Sequence, residues 1–224
     1  MRDGLTRRSA VALIAASVGF GLAYPLARDL GAAPPILILV KGAAVGLLAL
    51  CAALEGRRLL AAVLALGALG DVLLEVAFMA GVVAFAVGHA TAILMYLRNR
   101  RPLSAGGLAV AVGLLAFALA MPALLLPGNP AAVPFTAYGL LLCAMTAAAW
   151  LSRFPRPLTG LGALLFVASD ALLAVRMGGG EAPLLGLAIW FLYYFGQLLI
   201  FLGVRKGLAY ASSPEITASL AARV

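Results

Sequence analysis

The chain has 224 residues, 65% hydrophobic and 11% charged, with a formal net charge of +8 and a mean hydropathy of +1.12. A soluble domain is about 45–50% apolar and about 25% charged, so this composition cannot cover itself with a water-facing surface. The length divides into roughly seven to nine spans of about 20 residues with short joints, leaving nothing sizeable for a domain outside the bilayer.

In chain order, apolar runs predict membrane helices over residues 9–27, 34–54, 58–75, 78–98, 105–126, 131–151, 158–177 and 183–204. Helix breakers mark most joints: Pro34-Pro35, Arg101-Pro102, Pro127-Gly128-Asn129-Pro130, Pro155-Arg156-Pro157 and Gly178-Gly179-Gly180. A membrane barrel is excluded because the runs lack period-2 alternation. The expected fold class is an all-α integral membrane protein, a bundle of eight transmembrane helices. Residues 1–205 form its single domain, and residues 206–224 a polar cytoplasmic tail to which no chemistry is assigned. Cys51 and Cys143 lie singly within apolar runs and read as packing residues, neither a disulfide framework nor a zinc site.

The positive charge is a topology signal. Arg2, Arg7, Arg8, Arg57, Arg58, Arg98, Arg100, Arg101, Arg153, Arg156, Arg205, Lys206 and Arg223 fall on one side of the eight-span arrangement, and only Arg28 and Arg176 on the other. The positive-inside rule then places both termini in the cytoplasm, with the protein multi-pass in a bacterial inner membrane. No nucleic-acid partner is expected. Thr6-Arg7-Arg8 looks like a twin-arginine signal, but no soluble passenger follows it.

Ionisable groups inside spans are costly, so each needs a reason. Asp71 and Glu75 lie four apart on one face of the third span. Asp170 lies in the seventh. At 1.5 Å per residue they place Asp71 about 6 Å and Asp170 about 10 Å from the outer helix ends. Lys41 lies in the second span, and His89, the only histidine, near the middle of the fourth. Trp190, Tyr193, Tyr194 and Gln197 follow the i, i+3, i+4, i+7 pattern of one face of the eighth. Five helices thus offer polar groups to one pocket in the outer half of the bilayer. Interfacial, snorkelling or packing roles are the plain alternatives for Glu75, Lys41, His89 and the aromatic face.

Gly70-Asp71-Val72-Leu73-Leu74 and Ser169-Asp170-Ala171-Leu172-Leu173 are alike and lie four spans apart in the same orientation. Lys41-Gly42 precedes the first aspartate by 30 residues, and Tyr138-Gly139 precedes the second by 32. This spacing suggests a four-plus-four internal repeat that brings the aspartates together across a pseudo-twofold axis.

Two carboxyl groups in a low-dielectric site do not both ionise cheaply, which yields a general acid beside a general base. Such a pair suits a hydrolase acting on an acid-labile bond. It equally suits a proton relay in a small-molecule or lipid carrier, whereas a passive lipid-binding scaffold has little use for it. A metal held by Asp71, Glu75, His89 and Asp170 is a further option. One histidine excludes a three-histidine zinc site, and no HExxH, GxSxG or P-loop motif occurs.

Gly70-Asp71-Val72-Leu73-Leu74, Phe85 with Gly88-His89, Gly162-Ala163-Leu164-Leu165-Phe166-Val167-Ala168-Ser169-Asp170 and Tyr193-Tyr194-Phe195-Gly196-Gln197-Leu198-Leu199-Ile200 resemble, in order and spacing, the YhhN family of membrane proteins. The resemblance runs from about Lys41 to Gly203. It implies eight spans and a lysoplasmalogenase activity, hydrolysis of the vinyl-ether bond of a lysophospholipid to a fatty aldehyde and a glycerophospho-alcohol, without a known cofactor. It further implies that Asp71 and Asp170 are the catalytic carboxyls, with Lys41, Glu75, His89, Tyr194 and Gln197 lining the pocket; Tyr193 joins them as a candidate substrate contact. Substrate would arrive from the surrounding membrane lipids. Two positions depart from the family pattern: Gly42 replaces a usual proline, and Ala92 a frequent tyrosine.

Overall fold

The computed structural model describes residues 6–211. It contains eight helices: α1 Arg7–Asp29, α2 Pro34–Leu54, α3 Arg58–Val76, α4 Phe78–Arg98, α5 Ala105–Leu125, α6 Ala132–Trp150, α7 Leu161–Met177 and α8 Leu185–Ala211. A π-helical turn, Arg156–Gly160, leads directly into α7. All eight are long and apolar enough to cross a membrane when that turn is counted with α7. The protein is a multi-pass integral membrane protein. Arg2, Arg223 and the outer part of the expected tail lie outside the described residues. Lys206–Ala211, the first residues of that expected tail, continue α8 as helix.

Local signals start and stop the helices. Thr6 caps α1, its hydroxyl accepting from the Ser9 amide, and Ser104 caps α5 by accepting from Gly107. Pro34 and Pro35 occupy the first turn of α2, where a missing N–H costs nothing. Gly56 and Gly179 take positive φ in the turns after α2 and α7. A single residue, Ala77, separates α3 from α4.

Helices α1–α4 pack in sequence, α5 pairs with α6 and α7 with α8; α4 then packs on α6 and α2 on α8, joining the halves. Two close approaches set the geometry near the aspartates. Gly162 of α7 and Gly196 of α8 meet so tightly that a Cβ on either would lie under 3 Å from the other's carbonyl oxygen. Gly70 leaves room for the Phe85 ring, which a Cβ there would meet at 2.7 Å. The Gly42 departure has a local reason too, since a Cβ at that position would meet Val72 of α3 at 2.7 Å.

The end of the bundle that holds the first and last described residues is filled. Leu48, Leu60, Leu64, Tyr96, Met145 and Phe201 are fully buried or nearly so. There Glu55, after α2, pairs with Arg57 and with Arg205 of α8, each at 2.7 Å. The opposite end contains a cavity.

Candidate active site

A cavity of about 550 Å³ opens among the C-terminal ends of α1, α3 and α7 and the N-terminal ends of α2, α4, α6 and α8. Asp71 and Asp170 both line it, from α3 and α7, although they are only 2% and 8% exposed. Lys41, Glu75 and Tyr193 line it as well. The remaining wall is largely apolar and aromatic.

Each aspartate has its own tyrosine. The Tyr193 hydroxyl, reaching from α8, donates to Asp71 Oδ2 at 2.6 Å. Tyr138, from α6, is in hydrogen-bonding contact with Asp170. Behind each tyrosine stands a second polar group. Gln197, one turn along α8, hydrogen-bonds Tyr193, and His89 Nε2 lies 3.0 Å from the Tyr138 hydroxyl. A phenol that gives its proton to a carboxylate can still accept, so one chain runs Gln197 to Tyr193 to Asp71, and the other runs His89 to Tyr138 to Asp170 in the tautomer that carries the proton on Nε2. No hydrogen bond joins the two carboxyls, among the described residues. The expected pair therefore faces one space without touching.

Three residues expected in the pocket wall stand behind it. His89 and Gln197 are 4% exposed and border, in place of the cavity, a second void of about 20 Å³ that shares Phe85 and Phe166 with it. Tyr194 is fully buried and ties α1 to α8, its hydroxyl 3.0 Å from that of Ser17, which in turn donates to the Ala44 carbonyl. Tyr193 and Tyr194 are consecutive, so their side chains leave the helix about 100° apart. One reaches the cavity and the other its supporting helix. Trp190 does line the cavity while its indole N–H donates to the Gly21 carbonyl at 2.7 Å. Asp71, Glu75, His89 and Asp170 do not gather as a metal-holding cluster, among the described residues.

Phe85, Phe166 and Tyr193 form an aromatic floor, with ring centroids 5.1–6.1 Å apart and edges set against faces. At the rim, Lys41 Nζ pairs with Glu75 at 2.7 Å and sits 5.8 Å over the Tyr24 ring. Ser169, the small residue before the second aspartate, donates to the Ile189 carbonyl at 2.9 Å and fastens α7 to α8. Tyr138 and the arginines Arg28 and Arg176 are cavity residues that the sequence reading did not assign to the site. The signals were present: Tyr138 stands where the expected repeat would align it with Lys41, and the two arginines are the cations of the sparsely charged side.

These features can hold an amphiphile with its polar end at the rim, and can deliver and remove protons at two separate points. A profile of the YhhN family matches residues 36–204. Two curated relatives are each named lysoplasmalogenase, from Mycobacterium bovis (strain ATCC BAA-935 / AF2122/97) and Mycobacterium tuberculosis (strain CDC 1551 / Oshkosh). Each is 34% identical over 163 residues, covering 66% of this chain and 60% of the relative. No solved structure matches. With the family match covering most of its length, the chain belongs to the YhhN family.

Proposed function

We propose that the protein is a membrane-embedded hydrolase that cleaves the vinyl-ether bond of lysoplasmalogens, with Asp71 and Asp170 as its acid–base pair. The observation that carries this reading is that the two carboxyls, from different halves of the chain, line one cavity whose walls are otherwise mostly apolar. The names of the two mycobacterial relatives support the reaction class. A volume of about 550 Å³ suits a glycerophospho headgroup and the first part of a chain. The rest of the chain extends between helices into lipid. In this reading the cavity opens on the outer leaflet, since the end rich in arginine is the cytoplasmic one.

The chemistry starts with proton transfer from one carboxyl to the β-carbon of the vinyl ether. The π electrons form the new C–H bond and leave an oxocarbenium ion on the ether side. Asp170 is assigned this step, because no ion pair engages its side of the cavity. Asp71 lies one helical turn from Glu75 and its partner Lys41, and acts as the carboxylate. It takes a proton from water as the water oxygen adds to the cationic carbon. The aromatic floor places ring faces beside the developing cation. The resulting hemiacetal then collapses. Asp170 takes the hydroxyl proton, the carbon–oxygen bond to glycerol breaks, and Asp71 returns its proton to the leaving oxygen. One water is consumed, and both carboxyls regain their starting forms. The tyrosines position the carboxyls without entering the proton balance.

The test is aldehyde release from synthetic lysoplasmalogen by protein purified in detergent. Asp71→Asn and Asp170→Asn each remove one proton-transfer group and lower turnover by about 10²–10⁴-fold, with an unchanged melting temperature as the check on folding. Near wild-type turnover by either variant overturns its assigned role. If wild-type protein releases no aldehyde but reconstituted vesicles acidify on addition of a solute, a proton-coupled carrier replaces the hydrolase.

A further inference from the structure

Arg28 and Arg176 stand out from the other arginines. The basic residues at the opposite end follow the usual topology bias, but these two lie at the end where cations are scarce, and both line the cavity. Each occupies the last turn of its helix, α1 and α7, where a cation complements the helix dipole. That accounts for their position in sequence and not for where Arg28 reaches. Its Nη1 extends to 3.4 Å from where a Cβ on Gly186 would stand, in the first turn of α8. A helix N-terminus carries partial positive charge and this one has no acidic residue in its first turn, so a guanidinium there gains nothing from the helix. An anion between them would be favoured by both.

Neither arginine has a carboxylate partner, among the described residues. The rim's other cation, Lys41, is already held by Glu75. Arg176 follows Asp170 by six residues, a rise of about 9 Å. An arginine side chain covers part of that rise, and the three glycerol carbons and one ester oxygen between a reacting ether oxygen and a phosphorus cover the rest.

Resting on the lysophospholipid reading above, we infer that Arg28 and Arg176 form a clamp for the phosphodiester of the lipid headgroup. The clamp sets substrate specificity by requiring a phosphate and fixes the depth at which the ether bond meets the aspartates. Guanidinium groups suit this task, since each can offer two parallel N–H donors to phosphate oxygens.

The experiment measures binding without turnover, using full-length protein in detergent and the fluorescence of Trp190 in the cavity wall, with Trp150, which lies outside it, replaced by Phe in every sample. The probes are a saturated 1-O-alkyl lysophosphocholine, which has no vinyl ether to cleave, and a 1-O-alkylglycerol of the same chain length. Arg28→Gln and Arg176→Gln each weaken binding of the phosphate-bearing probe about tenfold, and together about a hundredfold. Binding of the alkylglycerol stays within about twofold, which also reports that the cavity is intact. Inorganic phosphate does not displace the lipid probe. Equal loss for both probes, no loss for either, or displacement by inorganic phosphate at comparable concentration overturns the clamp. A protein that never releases aldehyde but shows this arginine-dependent selectivity keeps the clamp and loses the hydrolase. One that cleaves lysoplasmalogen while the double variant binds both probes like wild type loses only the clamp.

Discussion

The surroundings of Asp71 and Asp170 match in plan and differ in charge. Each carboxyl is nearly buried, each meets one tyrosine hydroxyl, and each tyrosine is backed by a polar group that does not reach the cavity. Asp71, however, stands one turn from an ion pair, and its tyrosine arrives from α8. Asp170 is served by α6 and α4, through Tyr138 and His89, with no salt bridge of its own. Two similar positions have thus been given unequal electrostatic neighbours. Unequal neighbours let two identical functional groups take opposite roles.

The largest expected effect tests that division directly. The pH profile of kcat/KM falls on the acid side as the carboxylate Asp71 takes up a proton, and on the alkaline side as the acid Asp170 loses one. In residual activity, Asp71→Asn should therefore remove the acid limb and Asp170→Asn the alkaline limb. Exchanged limbs would reverse the assignment. Next in size are the tyrosines. Tyr193→Phe and Tyr138→Phe each withdraw a donor from a carboxyl, worth about 1.5–3 kcal/mol, or about ten- to a hundredfold in kcat. His89→Gln in the Tyr138→Phe background should add little beyond the loss of ring packing on Phe85 and Phe166, because its polar contact with the site passes through that hydroxyl; a large additional loss would give His89 a separate role. The smallest effect lies at the packed end. Glu55→Gln weakens the pairs with Arg57 and Arg205 and should cost on the order of 1 kcal/mol in thermal unfolding while leaving aldehyde release unchanged. A loss of turnover there would tie the two ends together.

The spans were legible because their length and composition leave few other arrangements, and the breakers fall at the joints. The π-helical turn before α7 and the helical run of α8 through Ala211 were not, because neither alters the apolar pattern. Asp71 and Asp170 were legible because a short carboxylate deep in a span has no inexpensive explanation. Periodicity indicates a face but not how far that face lies from a cavity, which is why His89, Tyr194 and Gln197 were expected one layer too far forward. Tyr138 was overlooked because a tyrosine in a span is unremarkable until its partner is known. Arg28 and Arg176 were read only as counts in a charge bias. That both line one cavity depends on how α1 and α7 are placed around it, and that is a property of packing across the two halves.

The backbone contact at Gly162 and Gly196 has a mechanical consequence. Where main chain rests on main chain, two helices have no side-chain cushion to compress, and any larger residue at Gly162 or Gly196 would force α7 and α8 apart. One of them bears Asp170 and the other bears the phenol that grips Asp71. The close contact thus holds Asp170 and the hydroxyl partner of Asp71 on one tightly packed helix pair. In the hydrolase reading, a substitution that spreads this pair should lower turnover more than one of equal size among the helices on the other side of the chamber.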